Sequence, residues 1–334
     1  MTRSRTGSDP GGRIVIDVLE QGGEEGGKET LSEIRLGLLR TPREISSKFF
    51  YDDRGSALFE RICDLPEYYP TRVERALLTR FADRIVDRSR ADVLVELGSG
   101  SSTKTRLLLD ALARANRLSA YVPFDVNQSF VRQVAADLTA GYPGLRVHGV
   151  VGDFMKHLMY IPDGGRRLVI ILGGTIGNIQ PSRAAAFLSE VSDRMSAGEF
   201  FLLGTDLIKD VDRLEAAYND TQGVTAEFNL NALRVMNDLL DGDFDPEGFE
   251  HRALYNRERD RIETRLRSKR EQVVRLPGIE MEIAFERGEE ILTEISVKYD
   301  RPRVEALLRE SDFEMVEWLT DPENLFALSL AKRV

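Results

Sequence analysis

The sequence predicts an α/β protein with a doubly wound, mostly parallel sheet and a second, smaller α+β unit. Between residues 93 and 207, five apolar runs alternate with helical patterns. Several runs are apolar on both faces, which is typical of parallel strands covered by helices. After Asp206 the alternation gives way to helices and then to antiparallel-type strands, which indicates a second unit.

The composition is that of an ordinary globular protein. The chain has 334 residues, of which 42% are hydrophobic and 31% charged. Its formal net charge of −10 argues against a nucleic-acid partner. No apolar stretch approaches the ~20 residues of a membrane span, and the N-terminus lacks the apolar core of a secretory signal. Cys63 is the single cysteine, so no intrachain disulfide is possible and we expect a cytoplasmic protein. We also expect a monomer without membrane contact.

The N-terminal third begins with a glycine-rich stretch. Residues 1–27 predict a flexible arm, with RIVIDVLE (13–20) as a candidate short strand. A helix is predicted over residues 29–40 from its apolar periodicity. Thr71 is predicted to be the N-cap of a helix that runs to about Arg88.

The five parallel strands and their closing elements follow. Strands are predicted at VLVEL (93–97), YVPFDV (121–126), RVHGVVG (146–152), RLVIILGG (167–174) and EFFLLGTDL (199–207). A closing helix over 303–313 and two strands would complete a seven-stranded sheet with an antiparallel last strand. Between them, residues 209–241 are predicted helical, and FEHRALYN, RIETRLRSKREQVVRL, EMEIAF and ILTEISVKY are predicted strands.

The first parallel strand runs into the turn ELGSG (96–100). A strand–GxG–helix stretch suits any ligand near a helix N-terminus, so by itself it is weak, and a purely structural turn is the alternative. A dinucleotide fingerprint has a third glycine where this chain has Thr103, and the carboxylate of Glu96 would disfavour a docked pyrophosphate. S-adenosylmethionine carries no phosphate and has a sulfonium charge, so the turn favours it over NAD.

The next two strand ends add acids. Asp125, in PFDV, is in position to accept hydrogen bonds from two ribose hydroxyls. Asp153 and Phe154 offer an acid for the adenine amino group beside a ring for its face. Three acids at three successive strand ends are hard to explain as solvated surface. Together they predict S-adenosylmethionine as the cofactor.

Longer stretches carry a family resemblance. They include FFYDDRGSALFERICDLPEYYPTR, VELGSGSSTKTRLLLDAL, LGGTIGNI, AAYNDTQGVTAEFNLNALRVMND and TDPENLFALSLA. In these stretches the chain closely resembles the histidine Nα-methyltransferases of ergothioneine biosynthesis, over roughly residues 30 to 334. The resemblance implies a class I, Rossmann-like methyltransferase domain (73–208 and 299–334). It also implies a discontinuous substrate-binding domain (28–72 and 209–298), with the arm (1–27) outside both.

The resemblance also implies site residues. Cofactor contacts fall on Gly98, Lys104, Asp125, Asp153 and Phe154. The substrate positions are Tyr68, Asn178 and Tyr218 for the amino acid head, Glu294 and Ser296 for the imidazole, and Tyr51 near the reacting amine. Tyr51 and Asn178 are the expected catalytic residues. Thr264 is a departure, because the family usually has a methionine in this part of the substrate pocket.

The residue types agree with that chemistry. Glu294 and Ser296 are two apart on a predicted strand and therefore share a face, where they could take the two ring nitrogens of histidine. Tyrosine faces would stabilise a trimethylammonium product by cation–π contact. Without the resemblance, a solvated strand face, a loop-capping Asn178 and core tyrosines would be the preferred interpretations. The three histidines have no metal spacing, and we expect no metal.

The sequence thus predicts S-adenosylmethionine-dependent methylation of the α-amino group of L-histidine, up to the trimethylated betaine hercynine. One alternative keeps the chemistry but changes the substrate to another aromatic amino acid such as tryptophan, for which Thr264 would leave room. A second is a non-catalytic S-adenosylmethionine-binding regulator. A third, an NAD oxidoreductase, is disfavoured by Thr103 and Glu96.

Overall fold

The computed structural model describes residues 3–6, 12–19 and 24–334. The chain divides into two compact units. The first contains the described residues up to 19, Pro70–Ile208 and Lys298–Val334, and the second contains residues 24–69 and Lys209–Val297. The sequence placed its domain boundaries at residues 27, 72, 208 and 298. The binding role of each unit stays a prediction.

The secondary structure follows the predicted alternation. The strands are β1 (Arg3–Thr6), β2 (Ile14–Leu19), β3 (Arg43–Glu44), β4 (Val93–Leu97), β5 (Ala120–Asp125), β6 (Arg146–Val151), β7 (Arg167–Ile171), β8 (Phe200–Asp206), β9 (Phe249–Asn256), β10 (Arg261–Ser268), β11 (Gln272–Leu276), β12 (Met281–Phe285), β13 (Glu290–Val297), β14 (Phe313–Thr320) and β15 (Phe326–Arg333). The helices are α1 (Glu24–Leu38), α2 (Asp53–Cys63), α3 (Tyr69–Ser89), α4 (Arg106–Arg114), α5 (Gln128–Gly141), α6 (Phe154–His157), α7 (Pro181–Asp193), α8 (Val211–Ala216), α9 (Val224–Leu240) and α10 (Arg301–Glu310).

The first unit contains a nine-stranded sheet in the order β1-β2-β6-β5-β4-β7-β8-β15-β14. Six neighbouring strands are parallel, in the spatial order β2-β6-β5-β4-β7-β8, and β15 is antiparallel to β8. The last seven strands of this order are the predicted seven, so the doubly wound fold with an antiparallel closing strand is confirmed. The strand order reverses at β4, which lies between β5 and β7. In such sheets, ligands bind outside the carboxyl ends of the strands at this reversal.

Two N-terminal strands extend the sheet beyond seven. Residues 14–19, which the sequence assigned to a flexible arm with a candidate strand, form β2 and pair in parallel with β6. The buried carboxylate of Asp17 on β2 lies 2.6 Å from Nε2 of His148 on β6. The candidate strand at 13–20 is therefore confirmed, because β-branched side chains and sheet pairing outweigh the flanking glycines. The arm prediction is wrong for residues 3–6, which form β1, and for residues 24–27, which begin α1. Residues 1–2, 7–11 and 20–23 of that arm lie outside the described residues.

One predicted helix boundary is also wrong. The helix assigned to start after Thr71 begins at Tyr69, so Thr71 lies inside the first turn of α3 and is not its N-cap. Pro70 explains the earlier start, because proline is favoured in the first turn of a helix, where its missing N–H costs nothing.

The second unit is built on the four-stranded sheet β3-β13-β10-β9, with α9 packed against β9 and β10. The long predicted strand RIETRLRSKREQVVRL divides into β10 and β11, and β11 pairs with β12 in a separate hairpin. The register of β10 against β13 shifts between Thr264 and Arg265, which makes Thr293 an extra residue on β13. Such a bulge re-aims the side chains that follow it.

Candidate functional site

The glycine turn lies at the reversal point of the first unit. Gly98 and Gly100 have φ values of +78° and +47°, in the left-handed region that favours glycine. The N–H of Gly98 donates to the carbonyl of Phe124 at 2.8 Å, which holds the turn against the end of β5. A Cβ at Gly98 would lie 3.5 Å from the Phe154 ring. The turn and the aromatic ring, both predicted to contact the cofactor, are therefore neighbours.

Asp125 connects this turn to the next helix. Its carboxylate accepts hydrogen bonds from the amides of Gly100 at 2.8 Å and Asn127 at 3.0 Å. Burial raises the pKa of Asp125, while the bonds from the Asn127 and Gly100 amides act in the opposite direction. Two carboxylate oxygens can accept about four bonds. Asp125 can thus order the turn and still accept the hydroxyls of a ribose.

The end of β6 places an acid and a ring next to each other. The side chain of Asp153 caps α6 by accepting from the amide of Met155 at 2.9 Å. The Phe154 ring contacts the rings of Phe124 and Phe187, with centroids 6.4 and 5.8 Å away. These contacts fix the orientation of a ring that the sequence predicted to cover an adenine face.

Glu96 lies beneath the turn and is 2% exposed. The Thr105 hydroxyl lies 2.6 and 2.7 Å from its two oxygens, and the Tyr121 hydroxyl also donates to it. Tyr121 is 2.7 Å from the hydroxyl of Ser102, a residue with φ of +51° in the same loop. Burial raises the pKa of Glu96 to about 7. The sequence interpreted Glu96 as an acid facing the ligand, whereas the structure gives it a role in holding the loop.

The loop contains one polar atom without a protein partner. Ser99 is 6% exposed, and its Oγ makes no hydrogen bond to any part of the chain that the structure describes. Buried hydroxyls are nearly always satisfied, so such an atom indicates a ligand or a water. Together with the open glycine backbone and the Asp125 carboxylate, it fits a nucleoside ligand such as S-adenosylmethionine.

Lys104 and Asn178 complete the predicted set of the first unit. Lys104 forms an ion pair with Glu74 on α3, a residue that the sequence analysis did not single out. Asn178 ends a short 3₁₀ turn, Thr175–Asn178, that follows β7 and is half-buried. Both residues therefore lie at the carboxyl edge of the sheet, and their binding roles stay predictions from the family resemblance.

The second unit brings together most of the predicted substrate residues. The Tyr218 hydroxyl donates to Ser296 Oγ at 2.8 Å, and both side chains are buried. The Tyr68 and Tyr218 rings meet edge to face with centroids 6.2 Å apart. Burial raises the pKa of Tyr68 well above its usual range, and Tyr218, Cys63, Tyr51 and Glu294 add to the effect. The phenol of Tyr68 is therefore a neutral hydrogen-bond donor.

The bulge at Thr293 sets which β13 side chains share a face. Across the sheet Thr264 pairs with Glu294, and Ile262 with Ser296, so these four side chains point the same way. Glu294 is half-buried, and Ser296 is 5% exposed. The pair thus does not form a solvated strand face. Thr264 is 2% exposed, and its Oγ1 has no hydrogen-bond partner among the described residues.

Two hydrogen bonds of the His251 ring hold the backbone around these residues. His251 Nδ1 is 3.0 Å from the side-chain amide of Asn229, and Nε2 is 2.8 Å from the carbonyl of Tyr218. Burial lowers the pKa of His251, so the ring is neutral at pH 7. Because Asn229 donates to Nδ1, Nε2 carries the proton and donates to Tyr218. This histidine therefore has a structural role.

The segment that carries Tyr51 is fixed to α9. Asp52 caps α2 by accepting from Gly55 at 2.7 Å and also accepts from the side chain of Asn231 at 2.8 Å. The Tyr51 ring packs edge to face on Phe228, with centroids 5.6 Å apart. Sequence reasoning missed Asn231, since an asparagine in an amphipathic helix gives no signal of a partner far along the chain.

Neither a metal centre nor a membrane span is present in what the structure describes. Within residues 3–6, 12–19 and 24–334, no three His, Cys, Asp or Glu side chains are grouped so that they could hold a metal. None of the helices in this part of the chain is long and apolar enough to cross a bilayer.

Comparison with known proteins identifies the family of the chain. A family model described as histidine-specific, SAM-dependent methyltransferase matches residues 30–333. The chain is 48% identical over 301 residues to a histidine N-alpha-methyltransferase of Mycolicibacterium smegmatis, covering 90% of this chain and 94% of that protein. It is 44% identical over 319 residues to the one of Mycobacterium tuberculosis, covering 95% and 99%. A Neurospora crassa ergothioneine biosynthesis protein 1 is 33% identical over 238 residues, which cover 66% of this chain and 27% of that protein.

Proposed function

Because this chain belongs to the family of histidine-specific, S-adenosylmethionine-dependent methyltransferases, we propose that it methylates the α-amino nitrogen of L-histidine. Three successive transfers yield Nα,Nα,Nα-trimethylhistidine, hercynine. The observation that carries this proposal is the grouping of Glu294, Ser296 and Thr264 on one sheet face, with Tyr218 bonded to Ser296. Such a group of polar side chains, partly or fully withdrawn from solvent, suits a heteroaromatic ring with two nitrogens.

The first unit binds the methyl donor in this proposal. S-adenosylmethionine supplies a methyl group on a sulfonium. Asp125 accepts the ribose hydroxyls, Asp153 accepts the adenine amino group, and Phe154 packs on the adenine face. Gly98 keeps the turn open and Lys104 donates hydrogen bonds.

The second unit binds histidine. Ser296 Oγ accepts a hydrogen bond from the Tyr218 hydroxyl, and in our proposal Ser296 donates to one ring nitrogen of the substrate. Glu294 then accepts from the N–H at the other ring nitrogen, a charge-assisted bond. Tyr68 and Tyr218 contact the amino acid head, and Asn178 is a further proposed contact of the substrate. Thr264 contacts the substrate through its hydroxyl.

The chemistry is an in-line displacement. The lone pair of the neutral amine forms the N–C bond as the S–C bond breaks, which releases S-adenosylhomocysteine, and the amine proton passes to solvent. Positioning of the two reactants accounts for most of the acceleration in this scheme. The aromatic ring of Tyr51 stabilises the growing positive charge on nitrogen by cation–π contact, about 0.5–2 kcal/mol. Asn178 orients the attacking amine.

The surroundings of the reaction are also part of the proposal. We infer a monomer in the cytoplasm, without a nucleic-acid partner or membrane contact, from the charge balance and the single cysteine. The trimethylated product would serve ergothioneine biosynthesis, the role that the name of the Neurospora relative gives.

A substrate panel tests the proposal. Purified protein is incubated with S-adenosylmethionine and either histidine, tryptophan or tyrosine, and the products are weighed by mass spectrometry. We expect histidine alone to gain mass, in up to three steps of one methylene each. Turnover of tryptophan in preference to histidine would replace the substrate. Binding of the donor without turnover of any amino acid would favour a regulator.

A further inference from the structure

A buried carboxylate on α3 contacts two segments at the carboxyl edge of the sheet, the loop before α4 and the loop after β7; we call the space beside them the donor cleft. Glu74 is fully buried and forms an ion pair with Lys104, which precedes α4. Its two oxygens also accept the N–H of Gly173 at 2.8 and 2.9 Å, just after β7. One side chain thereby fixes Lys104 and the backbone of the loop that leads to Asn178.

The fold leaves space for this carboxylate. Gly204 lies in the interior of β8, where a glycine normally weakens a strand. A Cβ at this position would lie 2.3 Å from Glu74 Oε1, closer than atoms can approach. A Cβ at Gly173 would lie 3.4 Å from Lys104 Nζ. The two glycines accommodate the ion pair, which indicates that its location is specified by the sequence.

The charges around Lys104 bear on which ligand the cleft accepts. A lone ammonium at the donor site would repel the sulfonium of S-adenosylmethionine, whereas an ammonium paired with a carboxylate has no net charge. Glu96 lies close enough for both Lys104 and Glu74 to influence its titration. Removing one member of the ion pair would leave a buried charge without its partner and would destabilise the fold, so we treat the two residues as one unit.

We propose that Glu74 is a positioning residue of the donor site, which holds Lys104 as a hydrogen-bond donor and cancels its positive charge. This inference rests on the proposed function for the identity of the donor. It has a specific consequence, because S-adenosylmethionine carries one more positive charge than S-adenosylhomocysteine. The Glu74–Lys104 pair then lets Lys104 donate a hydrogen bond without a net charge that would repel the sulfonium, so the charged donor is not disfavoured relative to the neutral product.

Calorimetric titration of the full-length chain with each of these two ligands, without histidine, tests the inference. We expect Glu74→Gln to raise the Kd for S-adenosylmethionine about tenfold more than the Kd for S-adenosylhomocysteine, through an added Coulomb repulsion. Lys104→Met removes the cation instead and should shift the ratio of the two Kd values the opposite way. The double variant Glu74→Gln/Lys104→Met should return the ratio close to that of the wild type.

Glu199→Gln is the matched control. Glu199 forms an ion pair with Arg167 in the same unit, and both are buried at the amino ends of β7 and β8. This variant should lose stability without a change in the ratio of the two Kd values. Equal weakening of both ligands by Glu74→Gln, or a shift of the ratio in the same direction by Lys104→Met, would overturn the inference.

The two proposals fail in different ways. If the wild type binds S-adenosylmethionine and the ratios shift as expected but histidine gains no methyl group, Glu74 keeps its role and the proposed substrate is wrong. If the wild type binds neither ligand, the role of Glu74 is wrong as well. If Glu74→Gln does not fold, the opposite shift in Lys104→Met still decides the question.

Discussion

The two candidate sites are organised by different kinds of contact. In the first unit, backbone amides donate to carboxylates: Gly100 and Asn127 donate to Asp125, and Gly173 donates to the fully buried Glu74. In the second unit, hydroxyls and aromatic edges fix the predicted substrate residues, as in the Tyr218–Ser296 and Tyr68–Tyr218 contacts. Backbone amides are present whatever the side chains are, so they can hold a site for a ligand shared by many enzymes. Recognition of a particular amino acid ring depends instead on which side chains are present.

The largest expected effect concerns the first unit: the free energy of unfolding should depend on pH through Glu96. The folded-state pKa of Glu96 is raised from 4.5 to about 7 by burial, so the folded state holds this proton more tightly than the unfolded chain. The resulting stabilisation is fully present below pH 4.5 and is lost as the pH rises through about 7. Relative to Glu96→Gln, the free energy of unfolding of the wild type should fall by roughly 3 kcal/mol across this range.

Urea unfolding of both proteins at several pH values between 4 and 8 measures this difference. The Glu96→Gln variant is the control for the wild type, because its side-chain amide does not titrate and can keep the contacts with the two hydroxyls. A difference in unfolding free energy that stays constant with pH would show that Glu96 does not titrate in this range.

The second effect breaks the substrate side alone. Glu294→Gln should raise the KM for histidine about 10- to 100-fold, the cost of a lost charge-assisted hydrogen bond, and leave the Kd for S-adenosylmethionine unchanged. Glu290→Gln is the control on the same strand, because Glu290 forms ion pairs with Arg252 and Arg265 instead. Steady-state kinetics with both variants measure it. A similar change of KM in the two would remove Glu294 from the site.

The third effect breaks the donor side alone. Gly98→Ala introduces a Cβ at φ of +78°, 3.5 Å from the Phe154 ring, and should raise the Kd for S-adenosylmethionine about tenfold through strain of ~1–2 kcal/mol. Gly144→Ala is matched in backbone conformation, with φ of +85° and nothing within 4 Å of the added Cβ. Calorimetry should find weaker donor binding in the first variant only. Equal binding would mean that the turn does not contact the donor.

The smallest effect sharpens the substrate side. Asn231→Ala removes the hydrogen bond to Asp52 and loosens the segment that carries Tyr51, so kcat should fall about threefold for a lost bond of ~0.5–1 kcal/mol. Asn237→Ala is the control on the same helix, because Asn237 bonds the backbone of Phe244 instead. Both variants should lose similar stability. A fall of kcat in the control would indicate a general loss of packing.

The sequence predicted those parts of the structure that depend on local pattern. The strands β4 to β8 were predicted because their apolar runs are short, regular and separated by amphipathic helices. The start of α3 was misplaced because Thr71 is a good N-cap residue, while Pro70 favours an earlier first turn. The sequence indicates β2 only as a candidate short strand, since its pairing with β6 depends on residues more than a hundred positions away.

The candidate site was predictable at strand ends and in the family motifs, but its supporting residues were not. An acid such as Glu74, in a predicted amphipathic helix, looks like part of a solvated face until the structure buries it beside Gly204. The bulge at Thr293 has no sequence signal, although it decides which side chains share a face with Glu294. These contacts join distant parts of the chain, where periodicity gives no information.

The most direct test of the proposed reaction is to locate the added methyl groups. Tandem mass spectrometry of the product from histidine distinguishes methylation at the α-nitrogen from methylation of the imidazole. If Glu294 and Ser296 hold the ring and the amine attacks the donor, every methyl group will be on the α-nitrogen. A methyl group on a ring nitrogen would contradict this account, because the ring would then be the nucleophile.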